Sequence, residues 1–134
     1  MSRPKLDAVA VTSGNLPATA KFYELLGFQF PKFETDAKHI EPVRETNEAR
    51  LMIDDKGLME SILGHRPSAP NHSTFALKCA SPAELDAAIK RIEAAGHKII
   101  KQPWDAFWGQ RYAIIADPDG YMVDLFAALS PALK

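Results

Sequence analysis

A single cysteine, Cys79, stands in 134 residues, so no internal disulfide can form and the thiol content is compatible with a reducing compartment. Within F-A-L-K-C it reads as a buried, inert thiol. An excess of charge is missing as well: 16 Lys and Arg face 17 Asp and Glu, a net charge of −1, with a pI near 6.4. That balance offers neither the basic patch that nucleic acid requires nor a strongly acidic groove for a cationic partner. No run approaches the roughly 18 apolar residues of a membrane span, and the opening M-S-R-P-K-L-D has no apolar core of signal-peptide length. The expectation is a cytoplasmic protein without nucleic-acid or membrane partners. Ser-His-Asp, Cys-His and phosphate-cradling glycine patterns are absent too.

What remains is a globular composition, 46% hydrophobic and 25% charged, in a length that suits one ordinary domain or two very small fused modules. The chain repeats one order of elements. A β-branched run, D-A-V-A-V-T, precedes G-N-L-P-A-T-A-K-F-Y-E-L-L-G-F; later T-F-A-L-K-C precedes S-P-A-E-L-D-A-A-I-K-R-I-E-A-A-G-H-K-I-I. Asn15 with Pro17, and Ser81 with Pro82 and Glu84, are helix starts. Leu85, Ala88, Ile89, Ile92 and Ala95 line one helix face. Gly27 and Gly96 are helix stops lying about half the chain apart. The repeat predicts a duplicated β-α-β-β-β unit, residues 1–65 and 66–134, with further strands near 27–31, 38–44, 48–54, 97–101, 109–116 and 121–127. K-G-L-M-E-S-I-L-G-H-R-P-S-A-P between the copies reads as a short helical turn and a linker.

Near the end, A-D-P-D-G-Y-M-V-D-L-F reads as a turn and a strand with an acid, Asp124, inside it. The early G-N-L…F-Y…L-G-F together with the late D-P-D-G-Y-M-V-D-L resembles the vicinal oxygen chelate superfamily, in its glyoxalase and bleomycin-resistance branch. The resemblance spans nearly the whole chain, and the late segment is its most specific part. It implies an α+β fold in which two βαβββ modules form curved mixed sheets around a cavity. Enzymes of the family hold a divalent metal there with His and Glu side chains from four strands. The matching positions in this chain are Ala8, Met52, Thr74 and Asp124. A metal site for water activation or enediolate chemistry needs about three His, Glu, Asp or Cys ligands. One Asp with Ala, Met and Thr does not supply them, so the expectation is no metal and no cofactor. The alternative is a displaced site using His72, Asp124 and either Glu48 or His39.

With the cavity implied, period-2 alternation assigns faces. Met122, Asp124 and Phe126 point inward, as do Ala8, Ala10 and Thr12, then Arg50 and Met52, then His72, Thr74 and Ala76. A D-P-D-G hairpin with Ala116 opposite Tyr121 sets Arg111 inward and diagonal to Asp124, and turns Tyr112 toward the helix. Arg111 then has two readings: a structural ion pair with Asp124, or a contact to a ligand oxygen. The loop K-Q-P-W-D-A-F-W-G-Q-R-Y concentrates Trp104, Phe107, Trp108 and Tyr112 within nine positions. So much aromatic surface either plugs a core or lines a site. Asp117 and Asp119 serve the turn.

The candidate ligand-binding set is therefore Trp108, Arg111, Trp104, Phe107, Asp124, Met52 and Thr74, with no catalytic residue assigned. The favoured reading is a metal-free, sequestering or resistance-type binding protein, a homodimer taking a small organic molecule that is planar or aromatic. Inward arginines favour an anionic or neutral ligand. The alternative is a metal-dependent lyase, isomerase or dioxygenase of the same superfamily.

Overall fold

The computed structural model describes residue 3 and residues 6–69 and 74–129. The chain divides into two compact units, Met1–Ala69 and Pro70–Lys134.

In the first unit, β1 (Ala8–Ser13) leads into α1 (Leu16–Glu24), followed by β2 (His39–Ile40), β3 (Arg50–Asp55) and α2 (Lys56–Leu63). The three strands form a sheet in the order β1-β3-β2, with β1 parallel and β2 antiparallel to β3. The β1–α1 corner is tied down by polar groups that burial would otherwise make costly. Ser13 and Thr19, both fully buried, share a 2.6 Å hydroxyl bond. Asn15 caps the helix by accepting from the Ala18 amide at 3.0 Å. Leu16, Ala20, Phe22 and Tyr23 then join Val11, Ile40, Leu51 and Ile53 in the core.

Two expectations fail in this unit. No strand forms over 27–31, and β2 keeps only two residues of the span 38–44. Pro31 and Pro42 lack the amide that a ladder needs; what remains is one bond between these segments, from Val43 N–H to Gln29 O at 2.7 Å. The expected helical turn after residue 55 is a full helix. Asp55 caps it, accepting from the Gly57 and Leu58 amides, and Gly64 stops it at φ 83°.

The second unit runs β4 (Phe75–Lys78), α3 (Pro82–Ala94), β5 (Ile99–Ala106), β6 (Gln110–Ala116) and β7 (Met122–Ala128). Its sheet has the order β4-β7-β6-β5, with β4 parallel to β7 and the remaining pairs antiparallel. Ser81 caps α3 through the Glu84 amide. Leu85, Ala88, Ile89 and Ile92 of α3 are buried, as are Ala113, Ile115, Val123, Leu125 and Ala127 of the sheet. The aromatic segment expected as a loop is in fact most of β5. Register shifts between Ile99 and Lys101, and between Lys101 and Trp104, absorb Pro103 at the sheet edge. Only Phe107–Gly109 form the hairpin tip.

Candidate functional site

Val123, Leu125 and Ala127 are buried on the α3 side of β7, so Met122, Asp124 and Phe126 occupy its other face. Pairing extends that face across the sheet. Ala76 and Ile114 lie opposite Asp124; Lys78 and Tyr112 lie opposite Phe126; Trp104 lies opposite Tyr112.

This register differs by one residue from the expected one. Ala116 pairs with Met122, not with Tyr121. The cause is the turn: Asp117, 4% exposed, accepts from both the Asp119 and Tyr121 amides at 2.9 Å, and its own amide donates to Tyr121 O. Tyr121 is thereby drawn into the turn. A slip of one residue exchanges the faces of β6. Tyr112 therefore shares a face with Asp124, and Arg111 is on the opposite side. The expected Arg111–Asp124 neighbourhood does not exist. Arg111 Nε donates to Asp86 of α3, and Nη1 to Asp105 of β5, each at 2.8 Å. Those bonds, Asp86 first, raise its pKa further.

On the Asp124 face the aromatic rings form one connected group. Tyr112 stacks on Phe126 with ring centroids 6.2 Å apart, and meets Trp104 at 5.6 Å and Trp108 at 5.5 Å edge-on. Trp108 also contacts Trp104 and Phe107. Gly109, at φ 88°, makes the tip that carries Phe107 and Trp108. There Phe107 is 97% exposed and Trp108 49% exposed. The Trp108 indole N–H donates to Gln110 Oε1 at 2.9 Å.

Asp124 is 8% exposed. Its Oδ2 accepts from the Tyr112 hydroxyl at 2.5 Å and from the Thr74 hydroxyl at 3.2 Å. Its Oδ1 is closed to solvent and, among the described residues, has no hydrogen-bond partner. Burial, then the bond to Asp124 and its charge, push the Tyr112 phenol up to about 12. Of the sequence-predicted residues, Trp104, Trp108, Phe107, Thr74 and Asp124 thus come together. Tyr112 is the member that the expected register hides, by turning it toward the helix. Burial raises the Cys79 thiol, in line with an unreactive role.

Met52 belongs to the first unit, half-buried on β3 opposite Ala10. Its face holds a charge network that no sequence spacing announces. His39 bonds Asp54 at 2.6 Å and Glu41 at 2.7 Å. Arg50 donates to both Glu41 oxygens and to Asp7. Arg50, then His39, hold Glu41 down at about 2. Asp54, then Glu41, raise His39.

Among the described residues, the positions that match the metal ligands of the resembling enzymes supply one donor of the usual kind. Ala8 and Met52 offer no strong ligand atom, and the Thr74 hydroxyl is turned to Asp124, which leaves one carboxylate. Of the displaced candidates, His39 is held by Asp54 and Glu41, and Glu48 accepts from the Glu45 amide. His72 lies outside the described residues. Among the described residues, no group of three or more His, Cys, Asp or Glu is placed to hold a metal ion.

Two α+β units with mixed sheets, one strand pair parallel in each, define the paired-module class to which glyoxalase-type proteins belong. The chain belongs to the Glyoxalase/Bleomycin resistance protein/Dioxygenase superfamily, whose model matches residues 5–125. It is 32% identical over 120 residues, 90% of each chain, to an uncharacterised protein of Mycolicibacterium smegmatis. Its fold is similar to that of a glyoxalase/bleomycin resistance protein/dioxygenase from Nocardioides, with a TM-score of 0.70 and 24% identity over 98% of this chain and 87% of that one. A glyoxalase-related enzyme from Fulvimarina pelagi gives a TM-score of 0.77 at 20% identity, covering 92% and 87% of the two chains. Lactoylglutathione lyase from Agrobacterium tumefaciens gives 0.67 at 17% identity, covering 95% and 96%. At these identities the structural likenesses speak for the fold alone.

Proposed function

We propose that the chain is a metal-free binding protein that sequesters a small planar or aromatic molecule on the Asp124 face of its second unit. One observation carries this reading: Trp104, Trp108, Tyr112 and Phe126 form a continuous aromatic group beside a buried carboxylate, with Trp108 still half exposed. Rings that served only as core would be covered; a half-exposed indole in contact with three other rings offers a ligand a stacking surface. Chemistry of the lyase or dioxygenase kind would need metal donors that Ala8, Met52 and Thr74 do not provide. A homodimer acting in the cytoplasm, without nucleic acid or membrane, completes the proposal. No helix among the described residues is long and apolar enough to cross a membrane.

The test has two arms. Calorimetric titration with nickel, zinc, manganese and ferrous iron should show no stoichiometric micromolar binding; one metal per chain, abolished by Asp124→Ala, would return the protein to the enzymes. A panel of fused-ring compounds that do not themselves emit in the indole band should quench tryptophan fluorescence saturably, and Trp108→Ala should weaken that response. Absence of any saturable ligand would remove the binding reading.

A further inference from the structure

The Asp124 face carries a buried carboxyl group that the described residues satisfy at one oxygen only. Both hydroxyl donors, from Tyr112 and Thr74, go to Oδ2, while Oδ1 has none among the described residues. Among the described residues no Lys, Arg or His forms an ion pair with Asp124; Arg111, the cation expected there, is engaged with Asp86 and Asp105 on the other face. The two donors are uncharged hydroxyls, and both serve the same oxygen. A buried carboxylate of this kind is costly until a cation with an N–H meets it.

The rings beside it favour the same partner. Aromatic faces attract cations through their quadrupole. Trp104 already holds one, with the Lys101 ammonium 5.1 Å from its ring centroid. Lys78, opposite Phe126 on β4, is the other lysine that the strand pairing places on this face.

We propose that the site selects an aromatic ammonium, whose ring lies against Trp104, Trp108 and Tyr112 and whose N–H donates to Oδ1 of Asp124. This rests on the binding reading and reverses the ligand charge that an inward Arg111 would have favoured. Because Oδ1 is closed to solvent, the ammonium reaches it as flanking side chains give way. Met122, unbranched and half-buried two residues along the strand, is suited to that.

Three probes that share one ring system separate charge from shape: 1-naphthylmethylamine, protonated at pH 7, the neutral 1-naphthalenemethanol, and 1-naphthoate. Each is titrated into the full-length chain, with affinity read by calorimetry and location by the indole N–H signals of Trp104 and Trp108. The ammonium should bind about tenfold or more tighter than the carbinol, as expected for a charge-assisted bond with a desolvated cation–π contact, and naphthoate should bind weakest. Asp124→Asn should bring the ammonium to within about threefold of the carbinol, the residual expected from the ring faces alone. If that variant does not fold, the side-chain carboxyl carbon signal of Asp124 in the unaltered protein should move with the ammonium and stay with the carbinol. Equal affinities, or naphthoate binding best, would overturn the proposal and leave the binding reading intact. So would an ammonium preference that survives Asp124→Asn. If none of the three binds at millimolar concentration and neither indole moves, both readings fall.

Discussion

Tyr112→Phe isolates the bond that organises the site. The substitution keeps the ring, so stacking on Phe126 and the edge contacts with Trp104 and Trp108 survive. It deletes the 2.5 Å hydroxyl bond to Asp124 Oδ2. The carboxylate, 8% exposed, would then rely on the exposed Thr74 at 3.2 Å alone. Losing a hydrogen bond to a buried charged group costs about 2 kcal/mol, which for a chain of this length lowers Tm by about 6 °C. Urea and thermal denaturation at pH 7 measure it directly. The alkaline limb gives a second readout. The folded phenol titrates at about 12, above its ordinary value of 10.0. Between those values the unfolded chain loses its proton first, so the unfolded state binds fewer protons and stability falls as pH rises. The stability difference between native protein and variant should therefore be full below pH 10 and shrink toward about pH 12. A variant within about 0.5 kcal/mol of the native protein at pH 7, the range of an ordinary surface change, would refute the role assigned to the Tyr112–Asp124 bond.

The β6 register and the two charge clusters can be tested in the same way. Ile115, fully buried, should cost about 3 kcal/mol as Ile115→Ala, while half-buried Ile114 should cost about 1 kcal/mol or less as Ile114→Ala; the reverse order in urea denaturation would mean that the β6 register is wrong. Arg111→Gln removes partly exposed pairs with Asp86 and Asp105, so it should cost about 1 kcal/mol, largely lost in 1 M salt, roughly the concentration that cuts the screening length to 3 Å. It should leave ligand affinity unchanged. His39 has its pKa raised by Asp54 and Glu41, so its stabilising effect is complete below the ordinary imidazole value of 6.5 and fades as pH rises through the raised folded value. In His39→Gln that slope should vanish; because the ring is 40% exposed, the loss at acid pH is a few tenths to about 1 kcal/mol. Equal pH–stability curves for native protein and variant would exclude the network as a stabilising element.

Local signals of helix and turn can be read directly in this sequence, because each is contained within a few neighbouring residues. Asn15 and Ser81 cap the helices whose starts they mark, and Gly27 and Gly96 take the positive φ that a helix stop requires. The pairing of β6 with β7 cannot be read the same way. Ile114 and Ile115 are adjacent, so either can be the buried partner of Val123, and the alternation is satisfied by both registers. What separates them is the bond from the Tyr121 amide to the Asp117 side chain, a matter of turn geometry that composition does not encode. Pro103 likewise makes β5 resemble a loop, since a proline is compatible with a strand only at an edge or bulge, and edge status is a property of the finished sheet. The His39–Glu41–Arg50 network depends on side chains from β2, β3 and the segment between them. No spacing rule joins residues across a sheet pair whose extent Pro42 obscures.

The slip in β6 reaches further than the strand itself. Had Arg111 faced Asp124, the pair would have been neutral, and a ligand would have met a balanced face with a spare guanidinium edge for an anion. With Tyr112 there instead, the donors are uncharged, and among the described residues one carboxylate oxygen is left without a partner. The resemblance matches this strand position to one where enzymes of the family hold a metal with a carboxylate, and among the described residues no group of three or more donors gathers to hold one. The electrostatic demand of that position is unchanged: a positive charge within bonding distance of a desolvated oxygen. Among the described residues the surroundings are four aromatic rings and two hydroxyls, with Lys78 and Lys101 on the same face. Such surroundings suit an organic cation better than a metal ion, because rings stabilise a diffuse, weakly hydrated charge while offering no lone pair to coordinate. The difference between a metalloenzyme and a binder on this scaffold then lies in what accompanies one carboxylate. Restoring imidazole or carboxylate donors around Asp124 should give metal affinity only if Tyr112 is also released from Oδ2, so Tyr112→Phe is the background in which such a reversal should be attempted.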